Sequence, residues 1–248
     1  MDFSHVVEFF LARKKVDGGF GASPRLPATI EDTYYPLRSL LALKDNGYQV
    51  PQSALGGHGK FLLKKLLGHD RSPRSSYQLF WCLRTLDIER PLGDKEAFRV
   101  RAGQYNLEDH FYIRRMGARC GGPPSVELEK EIRTIRDLRM FLYLFRENIS
   151  RGQWSRWIDW ILRCQNPDGG LGFMPGTTSF LENCYYGIRV LRLLGDFPLD
   201  KRALYTFVLS TRSGKGGFGR RNMGVPFPSS SWHGVGTLLA LEQIEKRK

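Results

Sequence analysis

The sequence predicts an all-α chain built as an array of helical hairpins. One observation is a stretch written three times. Residues 15–43 read KVDGGFGASPRLPATIEDTYYPLRSLLAL, residues 164–194 read CQNPDGGLGFMPGTTSFLENCYYGIRVLRLL, and residues 214–241 read GKGGFGRRNMGVPFPSSSWHGVGTLLAL. The glycine pairs begin at Gly18, Gly169 and Gly216, and seventeen residues beyond each first glycine stand Tyr35, Tyr186 and His233. The last two pairs lie 47 residues apart, and the gap between the first two holds about three such units. A repeat of that length fits a helix, a loop and a second helix. A second observation is apolar spacing: Phe3, Val6, Val7, Phe10 and Leu11 follow the helical i, i+3, i+4, i+7 pattern. The third is that no segment shows the alternation of a half-buried strand.

Each hairpin follows from these signals. First helices are predicted near 3–15, 53–67, 93–118, 152–165 and 200–212, and second helices near 30–45, 74–87, 126–149, 180–194 and 230–245. Phe61, Leu62 and Leu66, and the segments Trp157–Arg163 and Ala203–Val208, carry the apolar stripe of the later first helices. The loop glycines suit tight turns because they tolerate positive φ. Glu31, Asp32, Glu182 and the serines from Ser229 to Ser231 suit first turns, where they meet orphan amides and the positive end of the helix dipole. SPRSSYQLFWCLRTL at 72–86 is a degraded copy, with Leu83-Arg84 matching Leu37-Arg38 and Ile188-Arg189. Residues 91–135 hold more chain than one unit needs, so a sixth, irregular hairpin is expected around Asp109–Arg119.

Bulk composition narrows the setting. The chain of 248 residues suffices for one domain over 1–248, and 41% hydrophobic content suits a folded protein. Four scattered cysteines, a charged N-terminus and no apolar run of membrane-spanning length point to a reducing cytoplasm. A net charge of +13 favours an anionic partner, whether an acidic protein, a lipid surface or a phosphorylated small molecule. No nucleic-acid motif, P-loop, Ser/His/Asp order or C-x-x-C is present, so no nucleic acid partner is expected.

The segment WILRCQNPDGGLGF resembles the glutamine–tryptophan motif of the prenyltransferase and squalene-cyclase repeat family, with Trp160, Gln165 and Gly169 in register and Leu171 in place of tryptophan. EDTYYPLRSLLAL resembles that family's inner-helix consensus. The resemblance is close over residues 1–90 and 150–248. It implies an α/α toroid (barrel) of five to six hairpins, and the length is most like the β subunits of protein prenyltransferases. Those work with an α-type partner subunit, bind catalytic zinc and take an isoprenoid diphosphate.

Carried over residue by residue, the resemblance implies a zinc site at Glu182, Cys184 and His233, with an open position for the acceptor thiol. Zinc would lower the thiol pKa and hold it as the nucleophile toward an allylic diphosphate. Tyr185 stands where the family keeps a tyrosine after the cysteine, and it is the expected catalytic side chain. Tyr34, Tyr35, Trp81, Tyr186 and Trp232 are expected to line the isoprenoid site. The family's diphosphate clamp is missing, because Gly176-Thr177-Thr178-Ser179 carries no cation. Arg25, Arg220 and Arg221 are the expected substitutes. Two other readings stay open: a metal-free isoprenoid-binding or cyclase-like toroid using Glu31 and Asp32 as acids, and a non-catalytic basic interaction module. A solvent-exposed Glu31 would remove the cyclase-like one.

Overall fold

The computed structural model describes residues 1–68, 71–89, 105–117 and 125–245. Its elements run α1 (Ser4–Leu11), β1 (Phe20–Gly21), β2 (Ala28–Thr29), α2 (Ile30–Asp45), α3 (Gln52–Leu55), α4 (Gly59–Leu66) and α5 (Pro73–Thr85). They continue with α6 (Leu107–Arg115), α7 (Ser125–Glu129), α8 (Ile135–Phe145), a 3-10 turn (Arg146–Asn148), α9 (Arg151–Leu162), α10 (Leu181–Leu194), α11 (Lys201–Ser210) and α12 (Pro228–Glu245). The architecture is all-α. The two strands are two residues each, pair Phe20 with Thr29 and Gly21 with Ala28, and merely close the first loop.

Chain contacts divide the protein into two compact units, Met1–Gly122 with Phe227–Trp232, and Pro123–Pro226 with His233–Lys248. In the first, α5 packs between α2 and α6, and α4 covers α5. Its core is mainly apolar: Phe10, Phe20, Leu37, Leu40, Leu62, Leu79 and Leu83 are fully buried. In the second, α8 and α10 make the principal pair, and α9 backs α10. Ile135, Leu138, Ile188, Val190, Leu204 and Val208 fill that core. Burying one such side chain contributes roughly 1.5–3 kcal/mol, so each helix is held by its apolar stripe more than by its own hydrogen bonds.

The three glycine loops are built bond for bond alike. Lys14 bridges Phe20, Gln165 bridges Leu171, and Arg212 bridges Phe218. In each, the first glycine's N–H closes a turn, as Gly18 to Lys15, Gly169 to Asn166 and Gly216 to Ser213. Gly169 has φ +85°, and an added Cβ there would strike the backbone of Ala203, so only glycine fits. The residue after the pair, Phe20, Leu171 or Phe218, is a buried plug. The repeat register also holds on the helices: Tyr35, Tyr186 and His233 are each the sixth residue of α2, α10 and α12, and all are buried.

Several boundaries differ from expectation. The first helix ends at Leu11, not near 15, because Arg13 and Lys15 turn to pair with the glycine loop. The helix expected over 53–67 is broken into α3 and α4 at Gly56 and Gly57, the latter at φ +76°. Half of the helix expected over 93–118 lies outside the described residues; in the described half, α6 packs on α5. The helix expected over 126–149 is two helices, because Thr134 and Asp137 form a reciprocal capping box that starts α8 afresh.

Candidate functional site

In the first unit, aromatic side chains from α2, α5 and α6 meet. Tyr34 packs edge-on against Tyr35 at 5.2 Å, Tyr77 at 6.1 Å and Trp81 at 5.3 Å between ring centres. Tyr77 also lies 5.4 Å from Tyr112. Arg38, one helical turn beyond Tyr34, places its guanidinium 4.3 Å over Trp232, 5.3 Å over Tyr34 and 5.9 Å over Trp81. It also donates to Tyr34 Oη at 2.8 Å. A cation held among three ring faces is stabilised by their quadrupoles and fixes the rings in turn. Burial raises the Tyr34 phenol well above the usual tyrosine value against the pull of Arg38, and raises Tyr35 to about 12 against Arg74. Both phenols stay neutral and each accepts from a guanidinium, Tyr34 from Arg38 and Tyr35 from Arg74.

A pocket of about 400 Å³ opens beside this cluster, lined by Tyr77, Phe80, Trp81, Arg84, Thr85 and Arg115. Three of those rings and Arg84 come from one face of α5, at i, i+3, i+4 and i+7 from Tyr77. Ser72 caps that helix by accepting from the Ser75 N–H, with Pro73 at its first position. Arg115, from the last turn of α6, donates to Tyr77 Oη at 2.6 Å and sits 5.0 Å over that ring. The pocket is within the ordinary size range of small-ligand sites, roughly 300–1,000 Å³, and pairs apolar rings with two cations.

In the second unit, His233 lies 5.3 Å from Tyr185 and 5.6 Å from Tyr186, ring to ring, and all three are buried. Arg139 of α8 lies 5.5 Å over Tyr186. Leu181, at the start of α10, donates its N–H to the Arg220 carbonyl at 2.9 Å, while the Arg220 guanidinium stacks 4.0 Å over Phe180. Gln165 ties the second loop to the start of α11: its amide donates to the Asp200 carbonyl at 2.8 Å and accepts the Asp200 N–H at 3.0 Å.

Cys184 answers to Thr33. Thr33 Oγ1 accepts the Phe20 N–H at 3.0 Å, and Cys184 Sγ accepts the Leu171 N–H at 3.2 Å. Each is the fourth residue of its helix, and each anchors the buried plug of its loop. Burial pushes the Cys184 thiol up to about 12, against the hydrogen bond from Leu171. The sulfur is fully buried and accepts that amide hydrogen, as the Thr33 hydroxyl does in the first loop. Among the described residues, no group of three or more His, Cys, Asp and Glu side chains is arranged to hold an ion. Cys184 and His233 are buried near the starts of α10 and α12, and Glu182 lies in the first turn of α10.

Other expected site residues are distributed as follows. Trp81 borders the pocket, while Tyr34, Tyr35 and Trp232 belong to the ring cluster that shares Tyr77 and Trp81 with it. Arg25 and Arg221 are exposed, and Arg220 is held on Phe180. Glu31 is exposed and forms an ion pair with Arg74 at 2.7 Å, while Asp32 accepts from the Thr29 hydroxyl at the start of α2. The cyclase-like reading needed an enclosed carboxylic acid there, and exposed Glu31 removes it. Sequence reasoning missed Arg38, Arg84 and Arg115. Arg38 and Arg84 had a signal, since they recur in repeat register; Arg115 had none, because its helix lay in the irregular stretch.

The family model of the prenyltransferase alpha-alpha toroid domain matches residues 1–64 and 59–247, nearly the whole chain. No single curated protein matches the chain significantly. Among the described residues, no helix is long and apolar enough to cross a membrane. With its three bond-for-bond loop copies and its all-α build, the chain belongs to the prenyltransferase alpha-alpha toroid family.

Proposed function

We propose that this protein binds an allylic isoprenoid diphosphate against the aromatic wall of α5 and transfers the isoprenoid to a nucleophilic acceptor without a zinc centre at Cys184. The observation that carries the reading is the pocket walled by Tyr77, Phe80 and Trp81, two of whose rings pack on Tyr34 of the Arg38 cluster. Apolar rings bury an isoprenoid chain, and their π-faces favour positive charge that develops at the allylic carbon. In such a transfer the allylic C–O bond breaks with its electron pair leaving on diphosphate, and the acceptor's lone pair forms the new bond. Cys184 anchors the Leu171 amide and burial raises its thiol pKa, which supports assigning it to the loop and not to the chemistry. Family membership supports the substrate class.

The reading is tested by titrating the purified protein with farnesol and farnesyl diphosphate while following tryptophan fluorescence. Saturable quenching that disappears in Trp81→Ala is expected. Failure of both compounds to bind would end the isoprenoid reading.

A further inference from the structure

The third glycine loop ends in a tight knuckle, residues 220–225. Gly219 bridges Pro226, the Gly224 N–H closes a turn on the Arg221 carbonyl at 3.0 Å, and a Cβ at Gly219 would strike Gly224. At the tip, Met223 has φ +56° and is 97% exposed, and Val225 is 69% exposed. Positive φ costs a non-glycine residue, and a fully exposed methionine returns nothing to the fold by burial. Lys215, Arg220 and Arg221, from the same loop, are exposed as well.

The second glycine loop adds to the same end of the second unit. The Leu181 N–H bonds the Arg220 carbonyl and the Arg220 guanidinium stacks on Phe180, so the knuckle lies against the start of α10. That loop exposes Phe173 and Met174 in turn. It brings two acids, Asp168, which accepts from the Gly170 N–H and the Ser179 hydroxyl, and Glu182 in the first turn of α10. From Lys201 to Leu241, by contrast, the chain holds six Lys and Arg and no Asp or Glu. Exposed apolar tips beside cations suit an anionic lipid surface, where the tips are buried at the acyl boundary and the cations meet the headgroups. The shape favours lipid over protein. Met223 stands clear of its neighbours and offers a point, which a fluid surface moulds around and a folded partner could meet only with a matching socket.

We propose that this end of the second unit docks on an anionic lipid surface, with Met223 and Val225 entering the interface and Lys215 and Arg221 at the headgroups. The proposal stands apart from the isoprenoid reading, because it uses no residue of the first unit's pocket.

The test is sedimentation of the purified protein with two sets of vesicles, phosphatidylcholine alone and phosphatidylcholine with about one quarter phosphatidylserine. Wild type is expected to bind the anionic vesicles at least ~tenfold more tightly, and to be released from them by salt. Replacing both cations, Lys215→Gln with Arg221→Gln, is expected to weaken that binding by roughly tenfold or more. Met223→Asn is expected to weaken it by a similar factor, because the apolar side chain is lost while asparagine tolerates positive φ and preserves the knuckle. An unchanged thermal midpoint checks the fold of each variant, and Val225→Ser, at an exposed position, repeats the test where Met223→Asn lowers it. Binding of anionic vesicles that these apolar substitutions leave unchanged would overturn the proposal and assign the attraction to overall charge. Equal binding to both kinds of vesicle, or to neither, would overturn it too. Retention on immobilised polyglutamate without sedimentation on vesicles would overturn it in favour of an acidic protein partner.

Discussion

Thr33 and Cys184 show what one position asks of a side chain. Each must be small, buried and able to accept one amide hydrogen from a loop plug. Cys184→Thr is therefore expected to fold with nearly unchanged stability. Cys184→Ala leaves the Leu171 N–H buried without its acceptor and is expected to lose about 1–3 kcal/mol, read by urea denaturation. Equal stability of both variants would show that the sulfur contributes nothing as an acceptor. His58 does related work in the first unit. Its Nδ1 accepts the Gly19 N–H at 3.0 Å and its Nε2 donates to the Ala54 carbonyl, so the neutral ring is required. Burial, helped by Lys14, lowers its pKa below the ordinary 6.5 despite the Ala54 bond. A lowered histidine pKa means the unfolded chain takes up the proton first. The stabilisation is thus full above about pH 6.5 and is lost as pH falls from there toward the folded-state pKa. Wild type should lose stability over that interval relative to His58→Gln; parallel curves for the two proteins would contradict this role.

At the scale of elements, the glycine loops and the helices that follow them were legible because the chain writes them three times. Repetition reveals which positions are geometric requirements, and Gly169 is one: Gly169→Ala combines φ +85° with a collision against Ala203. A loss of about 2 kcal/mol or more in thermal or urea unfolding is expected, against little change for an exposed glycine such as Gly214. The middle of the chain was not legible for a physical reason. Apolar periodicity runs through 126–149 without a break, and only the Thr134–Asp137 capping box decides where α8 begins. Thr134→Ala should accordingly cost about 1 kcal/mol, and a neutral result would place the helix start under the control of packing alone. The hydrogen bond of Cys184 was hidden for a similar reason. Spacing on a helix gives register, but not whether a sulfur is already engaged.

For the molecule as a whole, the account joins a repeat scaffold to one aromatic pocket. Loops copied bond for bond set the helices, α5 is held between α2 and α6, and one face of α5 then supplies three rings and a cation to the pocket. The sequence made Trp81 visible but marked Arg38 and Arg84 only by their repeat register, because long cationic side chains on helices read as solvated surface. Nothing in this arrangement engages Cys184, which serves the second loop instead. The most direct test is calorimetric titration of farnesyl diphosphate into wild type and Cys184→Thr, each stripped and kept in excess chelator. The account predicts saturable one-site binding of equal affinity in both proteins, lost in Trp81→Ala. Binding that appears only when zinc is restored, and that Cys184→Thr cannot recover, would contradict it.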